Sequence, residues 1–362
     1  MERKRILIIR TDRLGDVVLS TPVIRSLRIA YPESHIAFMV RPYAEDIVTG
    51  NPYLDEVILY DKYGRHRGFF ATLLFGLKLR KKRFDTALIL HPTNRAHMIA
   101  FLAGIPERIG YSKRLPMLLT TAISDEKMNG QKHELEYTLD VLRNIGVSCF
   151  EKSIYVPVKR EDEDRINERL SQRGIAAGDA IITVHPGSSC PSKRWPIENF
   201  SSLINKVSVN YGFRIVLVSG SEEKRQVGEL KRSLGKDIVD MSGETSVGEL
   251  AALLKRSNLF ISNDSGPVHV STGVGTPNIV IFGRKQPGLS PTRWGPRGDG
   301  DIVFHKDAGC KVCLAHNCKE GFKCLRAVTV DEVFNAVRSL LDKKGRKDHL
   351  TIKQHQSVIQ SD

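Results

Sequence analysis

Short apolar runs alternate with longer amphipathic stretches along almost the whole chain of 362 residues. In the first half, residues 5–10, 35–40, 56–60 and 85–90 read as strands, and in the second half 179–184, 214–219, 258–262 and 278–283 do. Their Ile, Val and Leu do not alternate with polar residues, so both faces are covered, as in a parallel sheet held between helices. Between them, 21–30, 133–145, 197–211 and 247–256 carry the helical spacing of apolar positions. The series breaks over 156–178, where the charge-dense run Lys159–Arg165 is followed by Gly174 and Gly178. The pattern predicts an α/β fold of two doubly wound domains, 1–165 and 175–342, facing each other across a cleft. Ligands are expected at the C-terminal ends of the strands. Residues 343–362 lack apolar periodicity and read as a polar, basic tail.

Composition agrees with two cores. Hydrophobic residues make up 41% and charged residues 27%, which excludes disordered, collagen-like and disulfide-scaffold chains. The net charge of +14 points to an anionic partner: nucleic acid, an acidic membrane surface or a phosphorylated substrate. Part of that charge belongs to the tail. Aromatics are only 7% and are not interleaved with the cations, and no nucleic-acid module is present. A non-catalytic, basic nucleic-acid-binding protein is therefore the weaker alternative. The basic start runs straight into Ile6-Leu7-Ile8-Ile9, too short for a signal-peptide core, and no run approaches the ~18 apolar residues that span a bilayer. A cytoplasmic protein is expected, in contact with a membrane at most peripherally, at the inner face of the cytoplasmic membrane. Phe69-Phe70-Ala71-Thr72-Leu73-Leu74-Phe75, just ahead of the cations Lys78 to Arg83, reads either as a core helix with a basic end or as a patch for anionic lipid.

Familiar nucleotide fingerprints are absent. The first strand-to-helix turn, Arg10 to Asp16, has one glycine where a dinucleotide-binding turn has three, and no P-loop occurs. In that turn Asp16 can serve as a helix cap, or as a general base at the C-terminal edge of a strand. Two loops of the second domain have the makings of an anion site. One runs His185-Pro186-Gly187-Ser188-Ser189 and on to Ser192-Lys193-Arg194-Trp195-Pro196. The other, Asn263-Asp264-Ser265-Gly266-Pro267-Val268-His269, opens a helix whose free N–H groups face an incoming anion. Either loop alone could be an ordinary capped helix after a turn.

Together these segments resemble glycosyltransferase family 9, the ADP-heptose:lipopolysaccharide heptosyltransferases. The likeness rests on Arg13-Leu14-Gly15-Asp16-Val17-Val18-Leu19-Ser20-Thr21-Pro22, on Ala103 to Tyr111, on His133-Glu134, on Lys193-Arg194-Trp195-Pro196 and on Asn263 to His269, and extends over roughly residues 4–340. The resemblance implies a GT-B fold, with the acceptor on the first domain and the sugar nucleotide on the second. It also implies inverting transfer of a heptose from ADP-heptose to a lipid-linked lipopolysaccharide inner-core acceptor, with no metal in catalysis. Carried onto matching positions, Asp16 is the base and Lys193 neutralises the leaving diphosphate. Ser188 and Ser189 donate to phosphate, Asp264 holds donor-sugar hydroxyls, and the backbone of Ser265 and Gly266 cradles the diphosphate. His269 supports that loop, and Glu222 or Glu223 contacts the ribose. A nearer alternative is a transferase or epimerase of the same fold using another nucleotide sugar.

Cys310, Cys313, Cys318 and Cys324 stand apart from this chemistry. Their clustering, near His305 and His316, has the look of a structural zinc site, although the later spacing is wider than a standard knuckle. Free thiols are the competing reading.

Overall fold

The structure is a computed structural model of the chain that describes residues 3–220, 223–234 and 238–342. The tail expected over 343–362 lies outside them. Two parallel six-stranded sheets dominate. The first has the order β3-β2-β1-β4-β5-β6, with β1 (Arg5–Ile9), β2 (His35–Val40), β3 (Glu56–Leu59), β4 (Thr86–Ile89), β5 (Glu107–Tyr111) and β6 (Thr121–Ile123). The second has the order β12-β11-β10-β7-β8-β9, with β7 (Ile181–His185), β8 (Arg214–Leu217), β9 (Ile238–Asp240), β10 (Leu259–Asn263), β11 (Asn278–Phe282) and β12 (Ile302–His305). Each sheet starts at its centre, winds outward, then returns beside its first strand and winds the other way. The two sheets therefore share one topology, and each has its switch point beside its first strand, between β1 and β4 and between β7 and β10.

The eight runs read as strands are all strands, and all but β3, which lies at the edge of the first sheet, are interior. Four strands escaped that reading: β5, β6, β9 and β12. Three of these are edge strands, short and half exposed, so nothing required their outer faces to be apolar.

In the first domain the helices are α1 (Leu14–Val18), α2 (Thr21–Ala30), α3 (Phe69–Leu79), α4 (Asn94–Leu102) and α5 (Glu134–Asp140). Then come α6 (Arg160–Gln172), α7 (Ile197–Asn210), α8 (Lys224–Arg232), α9 (Val247–Arg256), α10 (Gly266–Gly273), α11 (Pro291–Trp294) and α12 (Lys323–Arg326), with a further helix over 330–342. Charge-dense α6 packs on α9 of the second domain, joined by Arg165 Nε to Glu249 Oε1 at 3.2 Å and Lys255 Nζ to Glu163 Oε1 at 2.8 Å. The charge-dense segment at which the series breaks thus lies against the second domain.

The domains are not joined by a linker alone. One continuous apolar cluster contains Val17 and Val18 of α1, Ile36 and Phe38 of β2, Leu250 and Leu253 of α9, and Val268 and Val270 of α10. The backbone N–H of Val156 donates to Gly273 O at 3.1 Å across the same seam. Among the described residues no helix is long and apolar enough to cross a membrane.

Candidate active site

Arg10 follows β1 directly and is only 2% exposed. A guanidinium is tolerated at such depth only when fully paired. Its Nε donates to Asp12 Oδ1 at 2.8 Å, and its Nη2 to Asp16 Oδ1 at 2.5 Å and Glu134 Oε1 at 3.1 Å. Its Nη1 reaches the Leu90 carbonyl at the end of β4, at 3.2 Å. One cation at the first switch point thus gathers carboxylates from the β1–α1 turn, from α1 and from α5.

Asp16 is the third residue of α1, and no side chain caps that helix. Its carboxylate faces Arg10 and a cavity of about 420 Å³ lined also by Arg13, His91, Lys113, Arg114 and Trp294. Burial pushes Asp16 up to about 6, helped by Asp12 and Glu134 and opposed by Arg10. Asp12 is likewise raised, chiefly by burial. His91, at the same cavity, is held down at about 4 by burial and by Arg10, so it is neutral at pH 7. A carboxylate poised near 6 is matched to accepting a proton from a hydroxyl near neutral pH.

Glu134 ties this network to the other domain. Arg293 of α11 donates to its Oε2 from Nε at 3.0 Å and from Nη2 at 2.8 Å, while Lys127 Nζ lies 3.5 Å from Oε1. Burial pushes Glu134 up, but Lys127, Arg10 and Arg293 outweigh it and hold it down at about 2. The preceding His133 caps α5, forms a capping box with Glu136, and meets the Gly295 carbonyl from Nε2 at 2.8 Å. Gly15 completes the seam: a Cβ there would come within 2.7 Å of His269 Cδ2, so α1 and α10 can approach this closely only without a side chain.

On the second domain, Asn263 ends β10 fully buried and laces two loops together. Its Oδ1 accepts from Trp195 N at 2.9 Å and its Nδ2 donates to Pro186 O at 2.7 Å. This sets Lys193 beside Asp264, with Nζ 3.1 Å from Oδ1, while Arg284, just past β11, donates from Nη2 to Oδ2 at 2.6 Å. A smaller cavity of about 130 Å³ is lined by Asp16 from one domain and by Lys193, Asp264, Ser265, Gly266, His269 and Arg284 from the other. α10 starts there without a side-chain cap, leaving its first N–H groups to a ligand. His269 is buried and held down at about 3 by burial and by nearby His133 and Lys193, so it packs against α1 as a neutral ring.

The cavity gathers Asp16, Lys193, Asp264, Ser265, Gly266 and His269 as the sequence suggested, and leaves other residues aside. Ser188 Oγ is buried without a partner and Ser189 is exposed, and neither lines the cavity. Glu223 lies over Gly187, accepting from Gly220 N at 3.3 Å and facing His185 Nε2 at 3.3 Å. Glu222 lies outside the described residues. Cys310, Cys313, Cys318 and Cys324 are free thiols. Among the described residues no three His, Cys, Asp or Glu side chains are grouped to hold a metal ion.

Residues 73–323 match the family model for glycosyltransferase family 9 (heptosyltransferase). The chain belongs to glycosyltransferase family 9. It is a glycosyltransferase, and its two facing α/β domains are the GT-B arrangement of that family. Among curated relatives, this family 9 chain is 23% identical to lipopolysaccharide heptosyltransferase 2 of Salmonella typhimurium, over 94% of this chain and 99% of that one. It is 25% identical to lipopolysaccharide heptosyltransferase 3 of Escherichia coli, over 90% and 95%. Among solved structures, a family 9 glycosyl transferase of Veillonella parvula superposes with a TM-score of 0.86 at 28% identity, over 95% of this chain and 99% of that one. The E. coli ADP-heptose lipopolysaccharide heptosyltransferase II superposes with a TM-score of 0.78 at 21% identity, over 94% and 99%.

Sequence reasoning missed Arg10, Asp12, Arg284 and Arg293. Arg10 and Arg284 did leave a signal, since each is a cation placed straight after an apolar central strand, where burial forces pairing. Arg293 left none, because its partner Glu134 lies in the other domain.

Proposed function

We propose that this chain transfers a heptose from ADP-heptose to a lipid-linked core oligosaccharide of lipopolysaccharide, inverting the anomeric centre in one displacement. The observation that carries this reading is the shared cavity, which sets a carboxylate poised near 6 opposite Lys193 and Arg284. The acceptor hydroxyl attacks the anomeric carbon and gives its proton to Asp16 as the bond to the diphosphate breaks and ADP departs. The charge growing on the diphosphate meets Lys193, Arg284 and the open N-terminus of α10, fixed in place before the reaction starts. Asp264 holds those two cations and, with its remaining lone pairs, accepts from donor-sugar hydroxyls. These groups supply the positive charge that a metal would otherwise bring. Glu223, at the edge of the same loops, is the ribose contact in this reading.

The acceptor side follows from the larger cavity, where Arg13, Lys113, Arg114 and Lys127 suit an acceptor bearing carboxylate or phosphate. The donor reading is supported by relatives named as lipopolysaccharide heptosyltransferases and by a structural neighbour, E. coli WaaC, described with ADP-2-deoxy-2-fluoro heptose. The test is nucleotide release from ADP-, UDP- and GDP-sugars, each with and without defined inner-core acceptors and with excess chelator. Acceptor-dependent release from ADP-heptose, unchanged by chelator, is expected. Release without acceptor, preference for another nucleotide, or loss with chelator overturns the corresponding part.

A further inference from the structure

We propose that the outward face of α3 is a docking surface for an anionic lipid bilayer. The helix is inverted relative to an ordinary surface helix. Its packed face consists of Thr72, Gly76 and Leu79, and Gly76 lies so close to α4 that a Cβ would stand 2.9 Å from Leu102 Cβ. The large apolar residues point the other way: Phe69 is 62% exposed, Phe70 76%, Leu74 66% and Leu77 45%. Phe70, Leu74 and Leu77 follow the i, i+4, i+7 spacing that makes one stripe. Burial against the protein explains none of them.

Cations frame the stripe at both ends. Arg65 and Arg67 precede Gly68, and Lys78, Lys81 and Arg83 follow, all exposed and none in an ion pair with a described carboxylate. Beside the stripe lies an apolar cavity of about 420 Å³, lined by Ile58, Ala71, Leu74 and Phe75 with Arg65 and Lys78 among its walls. An apolar stripe between unpaired cations is the signature of a helix lying in the interface of an anionic bilayer. A second copy of the chain fits worse, because a two-fold contact across this stripe would set the same cations against one another.

The surface is also continuous with the catalytic cleft. Lys62 and Tyr63, on the loop leading into α3, line a cavity together with Thr93 and Arg114, and those two residues also line the cavity of Asp16. A lipid-borne acceptor could thus pass from the bilayer to the base along one path. That last step rests on the proposed function; the docking itself does not.

Vesicle co-sedimentation of the full chain, without donor or acceptor, tests the docking alone. Binding to phosphatidylcholine vesicles containing phosphatidylglycerol is expected, with little to phosphatidylcholine alone. Lys78→Glu should weaken it about fivefold or more. Phe70→Ser/Leu74→Ser should abolish most of it while leaving turnover on a soluble, deacylated acceptor unchanged. Because the basic tail is untouched in both variants, binding that survives them, or binding indifferent to anionic lipid, overturns the proposal. So does a dimer in solution that the double variant dissolves, which would assign the stripe to a second copy.

Discussion

Asp16→Asn keeps the shape of the side chain and its contact with Arg10 while removing its basicity. Turnover should fall by about 10²–10⁴, the range for losing a positioned general base, with donor affinity little changed by calorimetry. The wild-type pH profile carries the same information. Asp16 accepts a proton only when ionised, and its level is raised to about 6, so kcat should hold above that pH and fall as the pH drops through it. Glu134 is one cause of the raised value, so in Glu134→Gln the acid limb should move to lower pH and the plateau should fall with the weaker base. A limb that stays in place would show that Glu134 has no electrostatic hold on the base. At this scale the sequence was partly legible. Residues that act through the loop they sit in, such as Lys193 and the run from Asp264 to His269, announce themselves by composition and spacing. Arg293 acts through Glu134, distant along the chain, and no local window contains both. Arg10 has Asp12 and Asp16 close by in sequence, but the Glu134 that completes its network lies 124 residues away.

Across the seam between the domains α1 packs directly on α10, and Gly15 sets how close. Gly15→Ala would drive a methyl into His269, and the helices must part by some fraction of an ångström. Small misplacements between reacting groups are costly, so kcat should drop about tenfold or more while the melting temperature changes little. Rescue of turnover by adding His269→Ala, which empties the space, would confirm that the spacing is the cause. The central strands were readable because burial on both faces leaves an unbroken apolar run. Edge strands such as β6 and β9 were not, because pairing on one side and water on the other makes no such demand. Helix α3 misleads for a third reason. A segment that is apolar nearly all round does not say which face is inside, and here Gly76, small enough for close approach to α4, and Thr72, bonded to the Tyr60 hydroxyl, decided it.

On the scale of the molecule, two sheets of one topology face each other through their switch points, and every residue assigned to the reaction comes from a loop or helix near that opening. The two-domain organisation was legible from the repeated alternation of strands and helices. The net charge said less, because its cations serve different purposes: Arg10 and Arg293 are spent in buried pairs, Lys193 and Arg284 line the cavity between the domains, and those around α3 face outward.

The apolar cluster that runs from α1 and β2 through to α9 and α10 has a thermodynamic consequence. Two domains with separate cores melt as two heat-absorption peaks, each with its own enthalpy. Here neither half can lose its packing without stripping the other's, so scanning calorimetry should record a single peak whose van't Hoff and calorimetric enthalpies agree. Two resolved peaks would mean that the seam is only an interface. One peak would mean that the wall behind the reaction cleft is also the cooperative unit of the whole chain.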